Sequence, residues 1–233
     1  MDSSGFQFAF RQPMPATRKP RISLRKQPQQ VRSNQLVDAV LQAAAQVLAK
    51  EGAQRFTTAR VAEKAGVSVG SLYQYFPNKA AILFRLQSDE WQQTTDLLRT
   101  ILEDADEPPL DRLRALVHTF IRSECEEAQI RGALSDAAPL YRDAPEAKQA
   151  RASGSGTMHV FMREALPDAP KATRELAADL IKITLSAFGH RFSEAPRGAA
   201  EIKTYADALA DMFCAYLESL GNAQSERSRK RLP

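Results

Sequence analysis

The sequence predicts an all-α protein with a small N-terminal domain of three helices and a larger C-terminal helical domain. Three observations predict this fold class: apolar residues recur at helical spacing from residue 34 to residue 220, no segment shows sustained strand alternation, and Pro or Gly separates most segments. With 233 residues, the chain is long enough to bury a sizeable core in one or two domains.

The first predicted helix covers residues 34–52. Leu36, Val40 and Ala44 recur along one side of it, and Gly52 stands in the C-terminal cap position, where a left-handed backbone commonly ends a helix. Phe56 follows as an isolated apolar residue, which we expect to close this end of the core.

Residues 57–76 are predicted to form two short helices that meet at a tight turn. Thr57 is a good N-cap for the first helix, because its hydroxyl can accept a hydrogen bond from a free amide of the first turn. Gly66 supplies the left-handed residue that ends this helix, and Ser68 caps the second one. Two helices at this spacing form a helix-turn-helix.

The second helix of this motif has an apolar and a polar face. Leu72 and Phe76 stand four residues apart on its inner face. The residues that fall mostly outside this stripe are Ser71, Tyr73, Gln74 and Tyr75. A short helix that begins with small residues and presents hydroxyls and an amide can enter a DNA major groove by its N-terminal end.

Residues 34–94 resemble the DNA-binding domain of the tetracycline-repressor (TetR) family of bacterial transcription regulators. The resemblance rests on an ordered set of residue types, which is more specific than one short motif. The residues that carry it are Phe56, Thr57, Thr58, Val61, Ala62, Ala65, Gly66, Val67, Ser68, Gly70, Ser71, Leu72, Tyr73, Tyr75, Phe76, Asn78 and Lys79. Beyond residue 94 the resemblance is only architectural.

The resemblance implies a sequence-specific transcriptional regulator. It would be a repressor that binds a palindromic operator in double-stranded DNA as a homodimer and is released by a small-molecule effector. The alternative is a sequence-tolerant architectural DNA-binding protein with the same fold. The helix-turn-helix of residues 57–76 would lie in a DNA-binding domain of residues 33–80, and residues 81–221 would form a ligand-binding and dimerisation domain.

The resemblance also implies roles for individual residues. The hydroxyls that would contact phosphates belong to Thr57, Thr58, Tyr73 and Tyr75. The residues that would face base edges are Val69, Gly70, Ser71 and Gln74. Lys79 would add a cation at a helix start, and Arg60 and Ser68 complete the predicted set of DNA contacts.

At two positions the chain departs from the family's pattern. Family members often carry Arg or Lys where this chain has Ala59 or Gln74. Direct base readout is therefore expected to depend on Ser71, on Gln74 and on apolar contact with thymine methyl groups.

Charge is distributed unevenly along the chain. Residues 1–32 carry a net charge of +6 and residues 33–79 carry +2, whereas residues 80–221 carry −7 and residues 222–233 carry +3, which together give +4. An acidic body with basic DNA-facing parts is expected of a sequence-specific DNA-binding protein, because its second domain must not adhere to DNA.

The N-terminal residues are predicted to be a basic arm. Residues 1–30 are rich in Gln, Pro, Ser and Arg without apolar periodicity, so we predict that they are disordered. An arm of residues 1–32 can reach along the duplex into the adjacent minor groove and raise affinity. The alternatives are a solubilising tail or a translation start at Met14. Residues 222–233 are predicted to be a solvated basic tail.

The C-terminal domain is predicted to contain five amphipathic helices. They cover residues 82–104, 110–127, 146–166, 173–192 and 199–220. The intervening residues 131–144 are predicted to be irregular, since Pro139 and Pro145 act as stops. Ser-Gly-Ser-Gly at positions 153–156 is expected to loosen the third of these helices.

The last two predicted helices carry more apolar surface than one small domain readily covers. In the resembled family the final helices of two subunits form a four-helix bundle, so the resemblance implies a homodimer. The predicted interface residues are Leu180, Ile183, Phe188, Leu209, Met212, Phe213 and Tyr216.

The middle helices are predicted to enclose a chamber for the effector, for which a hydrophobic or aromatic compound is plausible. The candidate lining residues are Trp91, Leu98, Leu116, His118, Phe120, Tyr141, Met158, His159, Phe161 and Met162. The alternative for each is an ordinary place in the core. Trp91, His118 and Tyr141 stand out because each brings a polar atom to an apolar wall.

Other function classes lack sequence support. The three histidines show no metal-ligand spacing, and no nucleophile elbow, dinucleotide fingerprint or phosphate-cradling loop is present, so we expect neither an enzyme nor a bound metal or cofactor. No apolar run is long enough to span a membrane. Cys125 and Cys214 have no paired spacing and suit a reducing cytoplasm.

Overall fold

The computed structural model of the chain describes residues 21–25, 31–153 and 156–229. Within these ranges the regular structure is entirely helical, which confirms the predicted all-α class. The α-helices are α1 (Val31–Arg55), α2 (Thr58–Ala65), α3 (Val69–Tyr75), α4 (Lys79–Leu102), α5 (Pro109–Glu126), α6 (Ala128–Ala137), α7 (Pro145–Ser153), α8 (Gly156–Ala165), α9 (Lys171–Ser193) and α10 (Ala199–Arg229). A 3-10 turn, Ala138–Leu140, joins α6 to α7.

The largest difference from the predicted helices lies in residues 131–144, which are not irregular as predicted. The helix α6 and the 3-10 turn occupy most of them. Ile130, Ala133, Leu134 and Ala137 stand at helical spacing, but two of the four are alanines, so the apolar signal is weak. The break predicted at positions 153–156 does separate α7 from α8, although residues 154 and 155 lie outside the described part of the chain.

The helices α1–α4 surround a first hydrophobic core, in which Leu48, Phe56, Leu72 and Phe76 are fully buried. This core continues past the predicted domain boundary at residue 80. Five buried residues from α6, α7 and the segment between them belong to it: Leu134, Ala137, Tyr141, Ala144 and Ala147. The N-terminal helices α1–α3, called here the head, are therefore packed directly against part of the second domain, chiefly through α1 and α6.

A second core is built around α5, which packs against α8, α9 and α10. Leu113, Val117 and Ile121 of α5 are fully buried in it. At Gly189, α9 approaches α5 so closely that a Cβ atom would lie 2.8 Å from a ring carbon of Phe120 and 2.9 Å from a side-chain carbon of Glu124. Only glycine fits at this crossing without displacing its neighbours.

Both cysteines belong to the second domain and are unpaired. Burial raises the pKa of each thiol, and the Cys214 Sγ lies 3.6 Å from the Leu110 carbonyl oxygen. None of the helices described is both long and apolar enough to cross a membrane. Over the same residues, no cluster of three or more His, Cys, Asp or Glu side chains is arranged to hold a metal ion.

Candidate nucleic-acid interface

The first helix of the motif, α2, is defined by its two ends. The Thr57 Oγ1 accepts a hydrogen bond from the Arg60 amide at 3.3 Å, as predicted for an N-cap. Gly66 has a left-handed backbone (φ 68°), and its amide donates to the Glu63 carbonyl at 3.1 Å. The predicted cap and stop are both confirmed, so α2 has fixed ends independent of the rest of the fold.

The second helix, α3, is held by its cap and its buried face. The Ser68 Oγ accepts from the Ser71 amide at 3.0 Å, and the two hydroxyls are 2.8 Å apart. Leu72 and Phe76 are completely buried, which fixes the rotation of this seven-residue helix about its axis. Val69, Gly70 and Gln74 consequently face outward.

A hydrogen bond across the outer surface joins the two helices of the motif. The Thr58 Oγ1 and the Tyr73 Oη are 3.0 Å apart, and both side chains are at least partly exposed. Each hydroxyl carries one proton, so whichever oxygen accepts this bond keeps its own proton for another acceptor. The pair can therefore present one donor to a phosphate oxygen while holding the two helices together.

The side chains of two predicted DNA contacts are engaged within the protein itself. Tyr75 is buried in the first core with 7% of its surface exposed, so its predicted place outside the apolar stripe is wrong. The Arg60 guanidinium is ion-paired with Glu51 at the end of α1, although Arg60 remains partly exposed. The other nine predicted contacts lie on α2, α3 or adjoining cap and start positions and are at least partly exposed.

The structure adds a segment that sequence reasoning missed. Residues 21–25 precede α1 and were predicted to be disordered, yet Ile22 is 97% buried and Leu24 packs against the same first core. Arg21 and Arg25 are exposed beside them. The signal was the isolated apolar pair Ile22 and Leu24 within a polar stretch. Residues 1–20 and 26–30 of the predicted arm lie outside the described residues.

The predicted effector chamber is divided by the structure. Leu116, Phe161 and Met162 are fully buried in the second core, whereas Tyr141 belongs to the first. His118 is partly exposed on α5, with its Nε2 3.0 Å from Asp207 Oδ1 of α10. The remaining candidates are partly buried or, for one, exposed: Trp91, Leu98, Phe120, Met158 and His159. The predicted lining residues are thus divided between the two cores, and six of them belong to the second core or pack against it: Leu98, Leu116, Phe120, Met158, Phe161 and Met162.

A charged cluster lies where α4, α5 and α6 meet. The Arg131 Nη1 lies 2.7 Å from Glu90 Oε1 and 2.6 Å from Glu124 Oε1, and the Arg131 Nη2 lies 2.9 Å from Glu127 Oε2. Burial raises the pKa of Glu90 and of Glu124, an effect that the attraction of Arg131 only partly offsets. These three carboxylates and one guanidinium, the charged cluster, carry a net negative charge.

Part of the predicted dimer interface belongs to the protomer's own core. Leu209 and Phe213 are buried against α5, and Phe188 and Tyr216 are partly buried there, so the prediction is wrong for the first two. The large apolar residues that α9 and α10 do expose, called here the apolar face, are Leu176, Leu180, Ile183, Tyr205 and Met212. Leu176 and Tyr205 were missed, because periodicity does not show which face of a helix is covered.

Two family models match the chain. Residues 40–86 match the model described as bacterial regulatory proteins, tetR family, and residues 108–220 match the tetracyclin repressor-like C-terminal domain. The first match covers α2 and α3 with most of α1, and the second covers the helices of the second core. Together they span both parts of the fold.

Similar proteins agree with these matches. The nucleoid occlusion factor SlmA of Vibrio campbellii is 36% identical over 85 residues, which cover 36% of this chain and 43% of that relative. The chain thus matches less than half the length of this curated relative. A putative TetR-family transcriptional regulator from Mesorhizobium loti has a TM-score of 0.62 at 19% identity and covers 80% of this chain and 98% of its own.

A further solved structure shares the fold. NalD from Pseudomonas aeruginosa, whose title calls it the secondary repressor of the MexAB-OprM multidrug efflux pump, has a TM-score of 0.57 at 18% identity. The alignment covers 77% of this chain and 95% of NalD. At this level of identity, the structural similarity supports the arrangement of helices and says nothing about the ligand.

Proposed function

The chain belongs to the tetracycline-repressor (TetR) family of DNA-binding transcription regulators, and on that premise we propose that it represses transcription by binding a palindromic operator as a homodimer. A small-molecule effector would release it. The observation that carries this proposal is the exposed face of α3, which is held by a buried face and tied to α2 by the Thr58–Tyr73 hydrogen bond.

The outer face of α3 suits a major groove because its first residues are small. Gly70 and Ser71 allow the helix backbone to approach base edges, and the Gln74 amide can form two hydrogen bonds with adenine. Val69 offers apolar contact to a thymine methyl group. Since α3 contains no Arg or Lys, one such helix would recognise few bases, and specificity would require two copies.

The apolar face on α9 and α10 supports the second copy. Leu176, Leu180 and Ile183 follow one another at helical spacing on α9, and 65% of the Ile183 surface is exposed. Tyr205 and Met212 stand seven residues apart on α10. A second copy related by a two-fold axis would cover both stripes and place two α3 helices for a palindromic site.

Release by an effector would act through the elements that link the head to the second domain. The helix α4 begins in the first core and carries Glu90 of the charged cluster, while α6 carries Arg131 and packs against α1. A compound that prefers another packing of α4 or α6 would change the separation of the two α3 helices. Its effect on operator affinity is bounded by its differential affinity, typically about 1–3 kcal/mol.

The operator is tested by selecting bound sequences from a random duplex pool. We expect an enriched palindrome, and we expect Gln74→Ala to lose about 1–3 kcal/mol of discrimination at one position of each half-site. Gln93→Ala, which alters an exposed glutamine on α4, is the matched control and should select the same palindrome. An unchanged selection by Gln74→Ala would contradict the assignment of α3 as the base-reading helix.

The dimer is tested by placing a charge on the apolar face. Ile183→Asp should yield a folded monomer in sedimentation and lose binding to the full palindrome, whereas Lys182→Ala on the same helix should remain dimeric. A dimeric Ile183→Asp protein would exclude this face as the interface.

The effector is tested by reciprocity. A thermal-shift screen of small aromatic and aliphatic compounds should give a compound that stabilises the protein. That compound must weaken operator binding by the same factor by which the operator weakens compound binding. Equal compound affinity with and without operator would show that the compound does not regulate DNA binding.

The similarity to SlmA, whose name is that of a nucleoid occlusion factor, favours a second candidate function, a sequence-tolerant architectural DNA-binding protein. The comparison concerns only 85 residues of each chain, so it supports the DNA-binding part alone. The same selection experiment separates the two functions. Similar affinity for any duplex, with binding that weakens steeply as salt rises, would favour the second candidate.

A further inference from the structure

Residues 21–25 are fastened to the DNA-binding head by side-chain packing. Only 3% of the Ile22 surface is exposed, and Leu24 packs against the first core from the same segment. Burial of an isoleucine side chain contributes to holding a segment that has no regular secondary structure of its own. The alternation of buried Ile22 with exposed Arg21 leaves the Arg21 side chain on the outside.

Two hydrogen bonds fix where the segment lies. The Arg25 amide donates to the Tyr75 carbonyl at 2.8 Å, which satisfies an acceptor at the end of α3 that the helix itself leaves free. The Asn78 Nδ2 donates to the Arg21 carbonyl at 2.9 Å, while the Asn78 Oδ1 caps α4 by accepting from the Ala81 amide at 2.9 Å. The segment is therefore held across the turn between α3 and α4.

This position places cations beside a recognition helix that has none. The helix α3 contains no Arg or Lys, and Arg21 and Arg25 are exposed next to its C-terminal end. The helix α3 rises by about 9 Å from Val69 to Tyr75, and the segment is bound at the Tyr75 end. Arg21 lies beside Lys79, a predicted DNA contact, because Lys79 directly follows the Asn78 that binds the Arg21 carbonyl oxygen. The two exposed arginines therefore stand at the end of the motif where a phosphate contact is already expected.

We propose that residues 21–25 form a second DNA-contacting element, in which Arg21 and Arg25 bind phosphates of the duplex flanking each half-site and Ile22 acts as their positioning residue. The inference rests on operator binding as proposed above and assigns to it a contact outside the motif. Duplex DNA is the partner because the two cations stand beside the base-reading helix. Phosphate contacts add affinity and salt dependence without adding sequence preference.

The test compares two duplexes that carry the selected palindrome. One ends at the palindrome, and the other extends it on each side by one helical turn, about 10 base pairs. The wild-type protein should bind the extended duplex more tightly and with a steeper dependence on salt. With two guanidinium groups in each of two protomers, the slope of log K against log salt should differ by about 3.6, at about 0.9 for each phosphate contact.

The variant Arg21→Ala/Arg25→Ala should lose this difference between the duplexes and keep the selected palindrome. The control Arg163→Ala/Lys171→Ala removes two exposed cations from α8 and α9 and should retain the difference. If the arginine variant still distinguishes the duplexes as the wild type does, the inference is overturned while the proposed function stands. Failure of the wild type to select any palindrome would instead overturn the proposed function and the inference with it.

A second pair of variants tests the positioning role of Ile22. Ile22→Ser keeps both arginines but would bury a hydroxyl in the apolar core and so weaken the anchor. The preference for the extended duplex should therefore fall, while the affinity for the short duplex is unchanged. Ile22→Val should restore the preference. A variant Ile22→Ser that keeps the full preference, with thermal unfolding like that of the wild type, would show that the arginines act without this anchor.

Discussion

The first core and the charged cluster differ in the kind of side chain that they take out of solvent. The DNA-binding head buries apolar side chains and keeps its polar contacts, such as those of Thr57 and Ser68, at the surface. Among the described residues, the buried polar or charged side chains are Gln87, Arg112 and Glu124, which belong to α4 and α5. The head is packed with apolar side chains, whereas the α4–α5–α6 junction holds carboxylates that depend on one guanidinium for pairing.

The two regions are in contact, which gives the difference a functional meaning. The Tyr141 hydroxyl, in the first core, lies 3.2 Å from the Gln87 Oε1, and the Gln87 Nε2 donates to Glu90 of the charged cluster at 2.8 Å. A change of charge at the cluster therefore reaches the wall of the head within two hydrogen bonds. The head is suited to keep its shape and the junction to change.

The largest expected effect comes from opening a cavity in the head. Phe76→Ala should lower the free energy of unfolding by about 3–5 kcal/mol, because Phe76 is completely buried. Since its surroundings are apolar, the loss should be the same near pH 5 and near pH 8 in denaturant titrations. Gln74→Ala on the same helix is the exposed control. A loss at Phe76 that varies with pH would remove the contrast between the two regions.

The next effect comes from removing the cation of the charged cluster. Arg131→Met should lower the free energy of unfolding by about 3 kcal/mol near pH 8, because it leaves the buried Glu124 and the partly buried Glu90 without their partner. The loss should be smaller near pH 5, where carboxyl groups with raised pKa values take up protons. Arg99→Met breaks an exposed pair with Asp96 and serves as the control. Equal losses of unfolding free energy at both pH values would contradict this explanation. They would show that the destabilisation does not depend on the ionisation of the two carboxyl groups.

Removing the Glu124 carboxylate should chiefly change how the free energy of unfolding varies with pH. Burial raises the pKa of Glu124 in the folded protein, so the folded state binds this proton more tightly than the unfolded chain. Stability contributed by this group is therefore present at low pH and lost as pH rises through the raised pKa. Glu124→Gln should remove that loss, and its stability relative to the wild type should grow with rising pH. Gln129→Ala, which alters an exposed residue of α6 that does not titrate, is the control and should show no such trend.

The smallest effect concerns the surface polar groups of the head. Ser68→Ala should lower the free energy of unfolding by about 1 kcal/mol, the usual cost of an N-cap, with no dependence on pH. Ser135→Ala, an exposed serine of α6, is the control. No change in stability would show that the buried Leu72 and Phe76 hold α3 without its cap.

Features that depend on neighbouring residues were predicted from the sequence. The caps at Thr57 and Ser68 and the left-handed Gly66 each need only a few adjacent residues to be recognised, and all three are confirmed. The charged cluster joins Glu90 to Arg131 across 41 positions, and no pattern among neighbouring residues predicts this ion pair. Long-range pairing of this kind is a property of the packed helices.

The mistaken exposures have separate causes. Tyr75 stands three residues after Leu72 and therefore shares its side of α3, so the spacing already allowed the burial that the first core provides. Phe213 lies on the side of α10 that packs against α5, whereas Met212 beside it is half exposed, a choice that periodicity cannot make. Ile22 and Leu24 were missed because two apolar residues are too few to define a period.

The shared first core has a consequence for recombination between related proteins. Exchanging the DNA-binding head at residue 80 would leave five apolar or aromatic residues, Leu134, Ala137, Tyr141, Ala144 and Ala147, against a foreign surface. A chimaera that retains its own α6, 3-10 turn and α7 together with its head would keep that core whole. In this protein the unit to be transplanted intact is therefore discontinuous in sequence, and it joins residues 21–25 and 31–86 to residues 128–147.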